Sequence, residues 1–416
     1  MRILFIYSTP GYLGGIETLI VRMSKWLVKN GHSVTLLIES PGRWANLLPT
    51  EVNCVALGER FHELYYYYHA SRLWKSLRLP IPDVVKSFDI GSSWIACQLA
   101  TLAGSNCKVI AGIYNPYVFK WYYNTRDLSI WDARKFYTNN FLRNIPVNSR
   151  IFCGVDQIEE LELLHQQNGE LWPIPIDASE FAEATRKPKW GKIVSVGRLS
   201  PMKEYNLYMV EIVRMLRERG RNVSWVVYGT GEYATPMQEL IRKYHLEKFI
   251  HLAGAVPYNR LWQVMEDAYI FIGMGTASLE ASLFKVPNVT AAAYDRDGLT
   301  WGPVYRLPEG SLGQLSHVRP EIRVVDEIER ILSLTPSGYT LEQEMVWNHV
   351  QVHAIDSSMM QFLNIVRNAD HYFPNKTMYW TNYSFGLLRQ VIASISNIQH
   401  IQHPQSLLYG FNGKKA

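Results

Sequence analysis

The chain has 416 residues, of which 47% are hydrophobic and 19% charged, and its formal net charge is +5. This length exceeds what one hydrophobic core usually supports, so two domains are expected, and the composition excludes a disordered chain. The modest charge does not indicate nucleic-acid binding, and the sequence has no zinc-finger, Arg-rich or Walker A pattern, so no nucleic-acid partner is expected.

The first half of the chain alternates apolar strands with amphipathic helices. Residues 3–7 predict a strand that runs into a glycine loop, and residues 16–30 predict a helix that ends at Gly31. Further strands are predicted at 33–38, 83–87, 108–112, 148–153 and 171–176, and further helices at 92–103 and 157–167. This rhythm is typical of a parallel, doubly wound sheet.

The second half repeats this plan after a proline-rich stretch at 174–190, which is the best candidate for a linker. Strands are predicted at 193–196, 224–228, 250–253, 269–272 and 286–293, and helices at 206–219, 235–244, 259–267 and 279–284. Two halves with one plan predict an α/β protein with two Rossmann-like domains, residues 1–180 and 188–355, that face each other across a cleft.

Beyond residue 325 the pattern weakens. A helix is predicted at 356–368, and the apolar residues between 387 and 395 are consistent with one more helix. We therefore expect residues 356–416 to form C-terminal helices that pack back across the two domains.

One stretch of the second half carries fixed charges at the end of a strand. Gly197 lets the backbone bend after the strand at 193–196, and Arg198 and Lys203 then leave the turn as cations that suit a diphosphate. On residue types alone, a loop with two solvated cations explains the same pattern. The surrounding motifs decide between the two interpretations.

Five motifs become specific when their order and spacing are taken together: GGIE at 14–17, VGRLSPMK at 196–203, YGTGE at 228–232, HLAGAVP at 251–257 and GMGTASLEASLFKVPNV at 273–289. On these motifs the chain resembles the retaining GT-B glycosyltransferases of the large nucleotide-sugar-dependent group (glycosyl transferases group 1), which includes many bacterial polysaccharide and lipopolysaccharide enzymes. The resemblance implies GT-B architecture and transfer of a sugar, expected to be a hexose, from a UDP- or GDP-sugar donor to a glycan or lipid-linked acceptor. It implies no cofactor beyond the donor substrate and no metal.

By this resemblance the catalytic residues are Arg198 and Lys203, which hold the donor diphosphate and stabilise the charge that develops as the nucleoside diphosphate leaves. Preorganised cations act on such a transition state without a metal ion. Glu280 matches the family's second glutamate, which contacts the donor ribose. An acid favoured by the helix dipole is the alternative interpretation of Glu280.

Backbone groups are expected to complete the donor site. The segment at 276–279 leads into a helix whose first N–H groups and positive dipole end suit phosphate oxygens, with a plain tight turn as the alternative. The glycine loop at 228–232 is expected under the base or ribose, and the glycines at 14–15 would face the cleft from the other domain. The donor-binding residues predicted in this way are Gly14, Gly15, Gly197, Gly229, Gly231, Gly275, Thr276, Ser278, Leu279, Glu280 and Tyr114.

Two positions depart from the family pattern. Ile272 stands eight residues before Glu280, where the family usually has a glutamate that binds the donor sugar, and Tyr114 stands where the family tends to have a histidine. A phenol can donate a hydrogen bond, but it cannot replace an imidazole in proton transfer near neutral pH. These departures keep open a non-catalytic GT-B subunit that binds a partner transferase or a glycan. A sugar epimerase or phosphorylase on the same fold fits the motifs less well.

The sequence Asp295-Arg296-Asp297 spells the D-x-D motif of metal-using transferases. That motif belongs to a different fold, and here it follows a strand of the C-terminal domain. A solvated turn is therefore the preferred interpretation.

Two stretches of the first half, residues 61–82 and 117–143, mix tyrosine and tryptophan with lysine and arginine. Rings and cations in this combination suit the surface of an anionic membrane, and the family's acceptors are often lipid-linked. A core-facing aromatic stripe with solvated charges is equally consistent with the pattern. No run of about eighteen uninterrupted apolar residues occurs, so no membrane-spanning helix is expected. We expect a cytoplasmic protein. If the aromatic-basic stretches face a membrane rather than the core, peripheral contact at the inner face of the membrane is expected as well.

Overall fold

The computed structural model describes residues 1–8, 14–65, 67–104, 106–114, 145–155, 169–177, 186–257, 260–313 and 319–371. The described residues form two compact units. The first unit takes its residues from Met1–Cys153, Gln157–Trp172 and Met359–Ala416, and the second from Gly154–Asp156 and Pro173–Ser358. The predicted helices at 157–167 and around 387–395 lie outside the described residues.

The first unit is built on one parallel sheet. Its described strands are β1 (Arg2–Tyr7), β2 (Ser33–Ile38), β3 (Asn53–Ala56), β4 (Val84–Ser87), β5 (Lys108–Ile113), β6 (Arg150–Phe152) and β7 (Glu170–Leu171). They lie in the order β3-β2-β1-β4-β5-β6-β7, and each neighbouring pair is parallel. The helices are α1 (Gly15–Lys29), α2 (Tyr67–Leu77) and α3 (Ile90–Ala103). Consecutive residues of β1, β4 and β5 are buried, so both faces of the sheet are covered. This explains why the buried residues of these strands are apolar, apart from Lys86 and Ser87 of β4.

Helix α1 shows how the sequence sets the end of an element. Its apolar residues recur with the helical period, and all residues from Leu19 to Ser24 are buried, so the middle of the helix is covered on every side. Gly31 follows with φ +75°, and its N–H donates to the carbonyl of Val28 at 3.0 Å. The N–H of His32 donates to the carbonyl of Leu27 at 2.9 Å. This pair of bonds is a Schellman motif, which favours glycine at this position, so the predicted helix end at Gly31 is confirmed.

The second unit is built on another parallel sheet. Its described strands are β8 (Lys192–Val196), β9 (Ser224–Tyr228), β10 (Ile250–Gly254), β11 (Ile270–Gly273) and β12 (Asn288–Thr290), in the order β10-β9-β8-β11-β12. A separate antiparallel pair joins β13 (Leu299–Thr300) and β14 (Ile322–Arg323). The helices are α4 (Tyr205–Glu218), α5 (Ala234–Lys243), α6 (Leu261–Met265), α7 (Thr276–Leu283), α8 (Val324–Leu332), α9 (Pro336–His349) and α10 (Ile355–Asn368). Helix α10 begins in the second unit and ends in the first.

Each sheet has one point where the strand order reverses. In the first sheet this point lies between β1 and β4, and in the second sheet between β8 and β11. Ligands of open α/β sheets bind beyond the carboxyl ends of the strands at such a point. The segments that follow Val196 and Gly273 in the second unit, and Tyr7 and Ser87 in the first, therefore occupy the positions where a ligand site is expected.

Several predicted elements differ from the structure. The strand predicted at 171–176 is limited to Glu170–Leu171, because Pro173 and Pro175 have no N–H to offer a neighbouring strand. The strand predicted at 286–293 is limited to Asn288–Thr290. Helices α8 and α9 were not predicted. The apolar residues of α8 do recur with the helical period and are buried, so this helix could have been found from the sequence, whereas α9 has no such pattern.

Candidate functional site

The predicted phosphate-binding residues Gly197, Arg198 and Lys203, here called the clamp, follow β8. They lie at the switch point of the second sheet, where the strand order reverses between β8 and β11. Gly197 follows β8 with φ +149°, and its N–H donates to the carbonyl of Tyr228 at 2.9 Å. A Cβ atom on Gly197 would lie 2.2 Å from Nζ of Lys203. The Lys203 ammonium therefore rests directly against the backbone of the turn, and glycine at 197 leaves it the room to do so.

Two further glycines let the neighbouring loop approach this turn. A Cβ atom on Gly229 would lie 1.8 Å from the carbonyl oxygen of Gly197, and one on Gly231 would lie 2.1 Å from the carbonyl oxygen of Leu199. The N–H of Leu199 also donates to the carbonyl of Thr230 at 3.0 Å. The loops after β8 and β9 thus pack backbone against backbone. The structure brings the predicted glycines 229 and 231 next to the clamp.

Three charged side chains interact electrostatically at this turn. The pKa of Lys203 is lowered to about 8, chiefly by burial and also by the Arg198 cation, while the Glu280 carboxylate opposes the shift. Glu280 is only 5% exposed, whereas Arg198 is exposed. Two cations and one carboxylate leave a positive excess. Such a site suits an anion with more than one charge.

Helix α7 begins at Thr276, three residues earlier than predicted. Gly275 precedes it with φ +72°. Leu279 is buried, and the buried hydroxyl of Ser278 has no hydrogen-bond partner among the described residues. The predicted helix start at 279 would place Glu280 in the first turn, but Glu280 is the fifth residue of the observed helix and lies just past that turn. Because the dipole effect fades after the first turn, it does not account for a buried acid at this position.

A buried glutamate that the sequence analysis did not identify ties the clamp to two other loops. Glu204 follows Lys203 and is 6% exposed. Its Oε1 accepts a hydrogen bond from the Tyr233 hydroxyl at 2.9 Å and another from Nε of Arg296 at 3.1 Å. These partners lie 29 and 92 residues away along the chain, so no local pattern could have revealed the contact.

The two carboxylates of the D-x-D sequence make local contacts. Oδ2 of Asp295 accepts from the N–H of Leu299 at 2.8 Å, which stabilises the turn before β13. Asp297 forms an ion pair with Arg319. These contacts, with the Asp297 side chain 63% exposed, agree with the interpretation of this sequence as a solvated turn.

The glycines predicted for the other half of the site lie at the start of α1, in the first unit. The N–H of Gly14 donates to Oε2 of Glu17 at 2.8 Å, and the hydroxyl of Tyr7 donates to Oε1 of the same side chain at 2.7 Å. Glu17 is 5% exposed, so a buried carboxylate fixes Gly14 and Gly15 near the end of β1. The predicted approach of these glycines to phosphate or acceptor stays a prediction.

Tyr114 also belongs to the first unit and follows β5. Its hydroxyl accepts a hydrogen bond from Nζ of Lys86 at 2.9 Å. Burial raises the pKa of Tyr114 well above its ordinary value, so the phenol keeps its proton. The sequence analysis missed Lys86, although a lysine inside the apolar strand β4 was a signal that a polar partner lies nearby.

Ile272 lies on β11 and is fully buried. It belongs to the hydrophobic core of the second unit, together with Leu199 and Tyr205. The position where the resemblance implies a donor-sugar carboxylate therefore holds a core side chain.

The first aromatic-basic stretch, residues 61–82, has one buried and one exposed side. Phe61, Leu64 and Leu73 are buried in the core of the first unit, whereas Lys75 and Arg78 are exposed. For the described residues this favours the core-facing interpretation of the apolar side chains. The second stretch, at 117–143, lies outside the described residues. Within the described part of the chain, no helix is long and apolar enough to cross a membrane.

Two family models match the chain. The model described as Glycosyltransferase Family 4 matches residues 13–150, and the model described as Glycosyl transferases group 1 matches residues 177–296. The first match spans β2 to β5, and the second spans β8 to β12 with the clamp and helix α7.

Two curated proteins are similar to parts of the chain. The putative colanic acid biosynthesis glycosyltransferase WcaL of Escherichia coli is 27% identical over 108 residues, which are 26% of this chain and 23% of that protein. A phosphatidylinositol N-acetylglucosaminyltransferase component of Arabidopsis thaliana is 24% identical over 181 residues, which are 43% of this chain and 39% of that protein. The chain thus spans less than half the length of these relatives.

Solved structures share the fold over most of the chain. A TarM variant of S. aureus in complex with fondaparinux, alpha-GlcNAc-glycerol and UDP has a TM-score of 0.64 at 11% identity and covers 88% of this chain and 100% of its own. HepE of Anabaena in complex with UDP and glucose has a TM-score of 0.61 at 12% identity, covering 88% and 100%. WaaG, a glycosyltransferase involved in lipopolysaccharide biosynthesis, has a TM-score of 0.61 at 15% identity, covering 89% and 100%. At these identities the likeness shows the fold, and the predicted fold class is confirmed.

Proposed function

Because this chain belongs to the group 1 glycosyltransferases, we propose that it transfers a sugar from a nucleoside-diphosphate donor to a glycan or lipid-linked acceptor with retention of configuration. The observation that carries this proposal is the interaction of Arg198, Lys203 and Glu280 at the switch point of the second sheet. UDP is present in the TarM and HepE structures, and WcaL is described as a colanic acid biosynthesis enzyme. These likenesses support a UDP- or GDP-sugar as the donor.

The residues of the second unit suit a diphosphate that becomes a leaving group. Arg198 and Lys203 supply two cations next to each other, and Lys203 is held in place by the turn at Gly197. Their charge is set before the reaction begins, so it stabilises the negative charge that grows on the departing phosphate. The first N–H groups of α7, which begins at Thr276, add hydrogen-bond donors for the phosphate oxygens. In this proposal Glu280 accepts hydrogen bonds from the ribose hydroxyls.

Retention follows if the acceptor hydroxyl attacks the face of the sugar that the phosphate leaves. The new bond joins the acceptor oxygen to the anomeric carbon, while the bond from that carbon to the phosphate oxygen breaks. An oxygen of the leaving phosphate takes the acceptor proton. No protein base is needed in this reaction, which agrees with a phenol at Tyr114 in place of an imidazole.

A non-catalytic GT-B subunit that binds a partner enzyme or a glycan is the second candidate. One observation favours it: Ile272 is fully buried in the core, so the position of the expected donor-sugar carboxylate holds an apolar side chain. Binding a partner enzyme or a glycan does not require a functional diphosphate-binding site. Nucleotide binding and turnover therefore separate the two candidates.

We expect calorimetric titration with UDP and GDP to show binding of at least one nucleotide with a Kd on the order of micromolar. Arg198→Ala should weaken this binding by about 100-fold, because it removes charge-assisted hydrogen bonds to phosphate. Arg219→Ala is the matched control, since its exposed side chain pairs with Glu329 at 2.7 Å on the surface. If neither nucleotide binds the unchanged protein, the transferase proposal is wrong. Binding without hydrolysis or transfer of any sugar nucleotide in a donor panel would support the non-catalytic subunit.

We also propose peripheral contact with an anionic membrane surface through the exposed side of α2 and the residues that follow it. Lys75 and Arg78 are exposed there, and Ile81 is 56% exposed. Cations beside an exposed apolar side chain suit lipid headgroups. We expect the protein to float with vesicles that contain phosphatidylserine at low salt and to be released as salt is raised.

The double charge reversal Lys75→Glu with Arg78→Glu should abolish this flotation. The same reversal at Arg242 and Lys243, two exposed cations at the end of α5, is the matched control and should leave flotation unchanged. Absence of binding to anionic vesicles by the unchanged protein would contradict the membrane contact.

A further inference from the structure

The glutamate that follows the clamp does not cap its own helix. Glu204 occupies the N-cap position of α4, where a polar side chain ordinarily accepts hydrogen bonds from the first N–H groups of that helix. In the described chain its side chain makes no such bond, and it is only 6% exposed. Its Oε1 instead accepts from the Tyr233 hydroxyl at 2.9 Å and from Nε of Arg296 at 3.1 Å. The carboxylate therefore joins two distant loops to the start of α4.

Stability alone does not explain this arrangement. A buried carboxylate costs free energy unless other groups replace the water around it. The Arg296 side chain is 80% exposed, and an ion pair with such an exposed partner contributes little to stability. The positive end of the α4 dipole favours an acid at this position, but it does so without turning the side chain away from the helix. The loops that Glu204 joins are what distinguish it from an ordinary helix cap.

The first of these loops, residues 229–233, follows β9 and lies against the clamp. The N–H of Leu199 donates to the carbonyl of Thr230 at 3.0 Å, and the N–H of Tyr233 donates to the carbonyl of Leu199 at 3.2 Å. The glycines of this loop have no side chains that could fix it. Tyr233 supplies a side-chain contact, because its ring packs against the core of the second unit and its hydroxyl donates to Glu204. Burial and this hydrogen bond raise the pKa of Tyr233 to about 12, so the phenol stays a donor.

The second loop, residues 293–299, follows β12 and is fixed to the same segment. The N–H of Tyr294 donates to the carbonyl of Met202 at 3.0 Å, and Tyr294 has φ +57°. A tyrosine adopts this left-handed conformation only where its surroundings fix it. Arg296 is the middle residue of the D-x-D sequence, so the arginine of that sequence reaches Glu204 while the two carboxylates make the contacts described above.

We propose that Glu204 is a positioning residue that holds the loop after β9 in the conformation that receives the nucleotide of the donor. A glycine loop that is free before binding loses conformational freedom when a ligand orders it, and this loss weakens affinity. The hydrogen bond from Tyr233 to Glu204 orders the loop in advance, and Arg296 fixes the carboxylate from the other side. This inference rests on the proposed function, because it takes the ligand of the loop to be a nucleoside diphosphate.

A role in positioning and a role through charge predict opposite results. Glu204 is an acid next to Lys203, so its charge repels a diphosphate in the clamp. If it acted only through this charge, its removal would tighten nucleotide binding. If it holds the loop, its removal weakens binding, because the nucleotide must then order the loop. Tyr233→Phe changes no charge and tests the positioning role by itself.

The experiment is calorimetric titration of Glu204→Leu, Tyr233→Phe and the double variant with UDP and GDP. We expect each single variant to raise the Kd of the nucleotide that binds by about 10-fold, as for one lost hydrogen bond to a charged group. The double variant should lose no more than the stronger single variant, because both changes remove the same contact. Glu204→Gln keeps an acceptor oxygen, so its Kd should stay within about threefold of the unchanged protein.

Steady-state kinetics add a second measurement. The clamp cations Arg198 and Lys203 are unchanged in these variants, so kcat at saturating donor should stay within about threefold while KM rises. A Kd of Glu204→Leu that is unchanged within about twofold, or lower than that of the unchanged protein, would overturn the proposal, and so would full affinity of Tyr233→Phe. If Glu204→Leu does not fold, Tyr233→Phe decides, because it removes only one hydroxyl.

The second unit offers a matched control with the same three residue types. The hydroxyl of Tyr305 donates to Oε1 of Glu342 at 2.9 Å, and Arg330 donates to the same carboxylate. This group joins α8 and α9 to residue 305 rather than the loops after β8, β9 and β12. Tyr305→Phe should lower the urea midpoint and leave the Kd within about twofold. If it weakens nucleotide binding as much as Tyr233→Phe does, general loosening of the unit explains both effects and the proposal is overturned.

Amide hydrogen exchange separates the failure of this inference from the failure of the proposed function. In the protein without nucleotide, Glu204→Leu and Tyr233→Phe should raise the exchange rate of residues 229–234 by about 10-fold, whereas Tyr305→Phe should not. Absence of UDP and GDP binding by the unchanged protein contradicts the transferase. Exchange then decides the role of Glu204: faster exchange supports a residue that holds the loop, and unchanged exchange overturns it. Faster exchange with unchanged nucleotide affinity overturns this inference alone.

Discussion

Lys203→Met is expected to reduce turnover with a sugar-nucleotide donor by about 10²–10³-fold, because it removes one preorganised charge from a developing anion. The Lys203 side chain lies against Gly197, and methionine can fill the same space, so the fold should be retained. Arg198 remains and should still support nucleotide binding. The measurement is the steady-state release of UDP or GDP, and turnover within about fivefold of the unchanged protein would show that the clamp does not act on the transition state.

The same side chain sets a pH dependence. The pKa of Lys203 is lowered to about 8 by burial and by Arg198. As pH rises through about 8 the free enzyme loses this ammonium proton, so kcat/KM for the donor should fall above that pH and be highest below it. Lys203→Arg should move the fall to higher pH, because a guanidinium stays protonated. A flat profile across this range would contradict the assignment.

Arg330→Met is expected to lower the free energy of unfolding of the second unit by about 3 kcal/mol. Arg330 on α8 donates at 2.7 Å to Glu327 of the same helix and at 2.9 Å to Glu342 of α9. The two carboxylate side chains are 3% and 5% exposed. Without the guanidinium, two buried carboxylates would lack their shared cation, and the hydroxyl of Tyr305, at 2.9 Å from Glu342, could compensate only one of them.

The loss in the free energy of unfolding is measured by urea unfolding of Arg330→Met and of a control variant in parallel. Arg219→Met is the matched control, because Arg219 and Glu329 form an exposed pair with side chains 40% and 24% exposed. We expect the control to change the free energy of unfolding by no more than about 0.5 kcal/mol. Equal effects of the two substitutions would show that the carboxylates near Arg330 reach water.

The strands and helices that alternate in both halves could be predicted because their periodicity is local. The strands Ser33–Ile38 and Ser224–Tyr228 were predicted to the residue, since each is an apolar run bounded by polar or turn residues. Helix α9 could not be predicted for a physical reason. It buries Glu342 and exposes Leu341 by 62%, which reverses the pattern on which the prediction of a helix depends.

The residues of the candidate site also divide into those that a local sequence pattern could predict and those that it could not. Arg198, Lys203 and Glu280 could be found because their motifs are continuous in the sequence, and the structure brings them into electrostatic contact. Lys86 and Glu204 could not be found, since their partners become neighbours only when strands and loops from distant parts of the chain meet. A charged residue inside an apolar strand was the one local sign that could have identified Lys86.

The first unit takes its residues from distant parts of the sequence, which matters for anyone who wishes to express that unit alone. Trp172 is fully buried, and its ring lies 5.4 Å from the ring of Phe362 on α10. Lys108 on β5 closes the end of the same helix. A fragment that stopped at Trp172 would expose an indole and leave Lys108 without these acceptors. A polypeptide that folds as the first unit therefore needs the segment around α10 returned to it, by circular permutation or by co-expression of the missing piece.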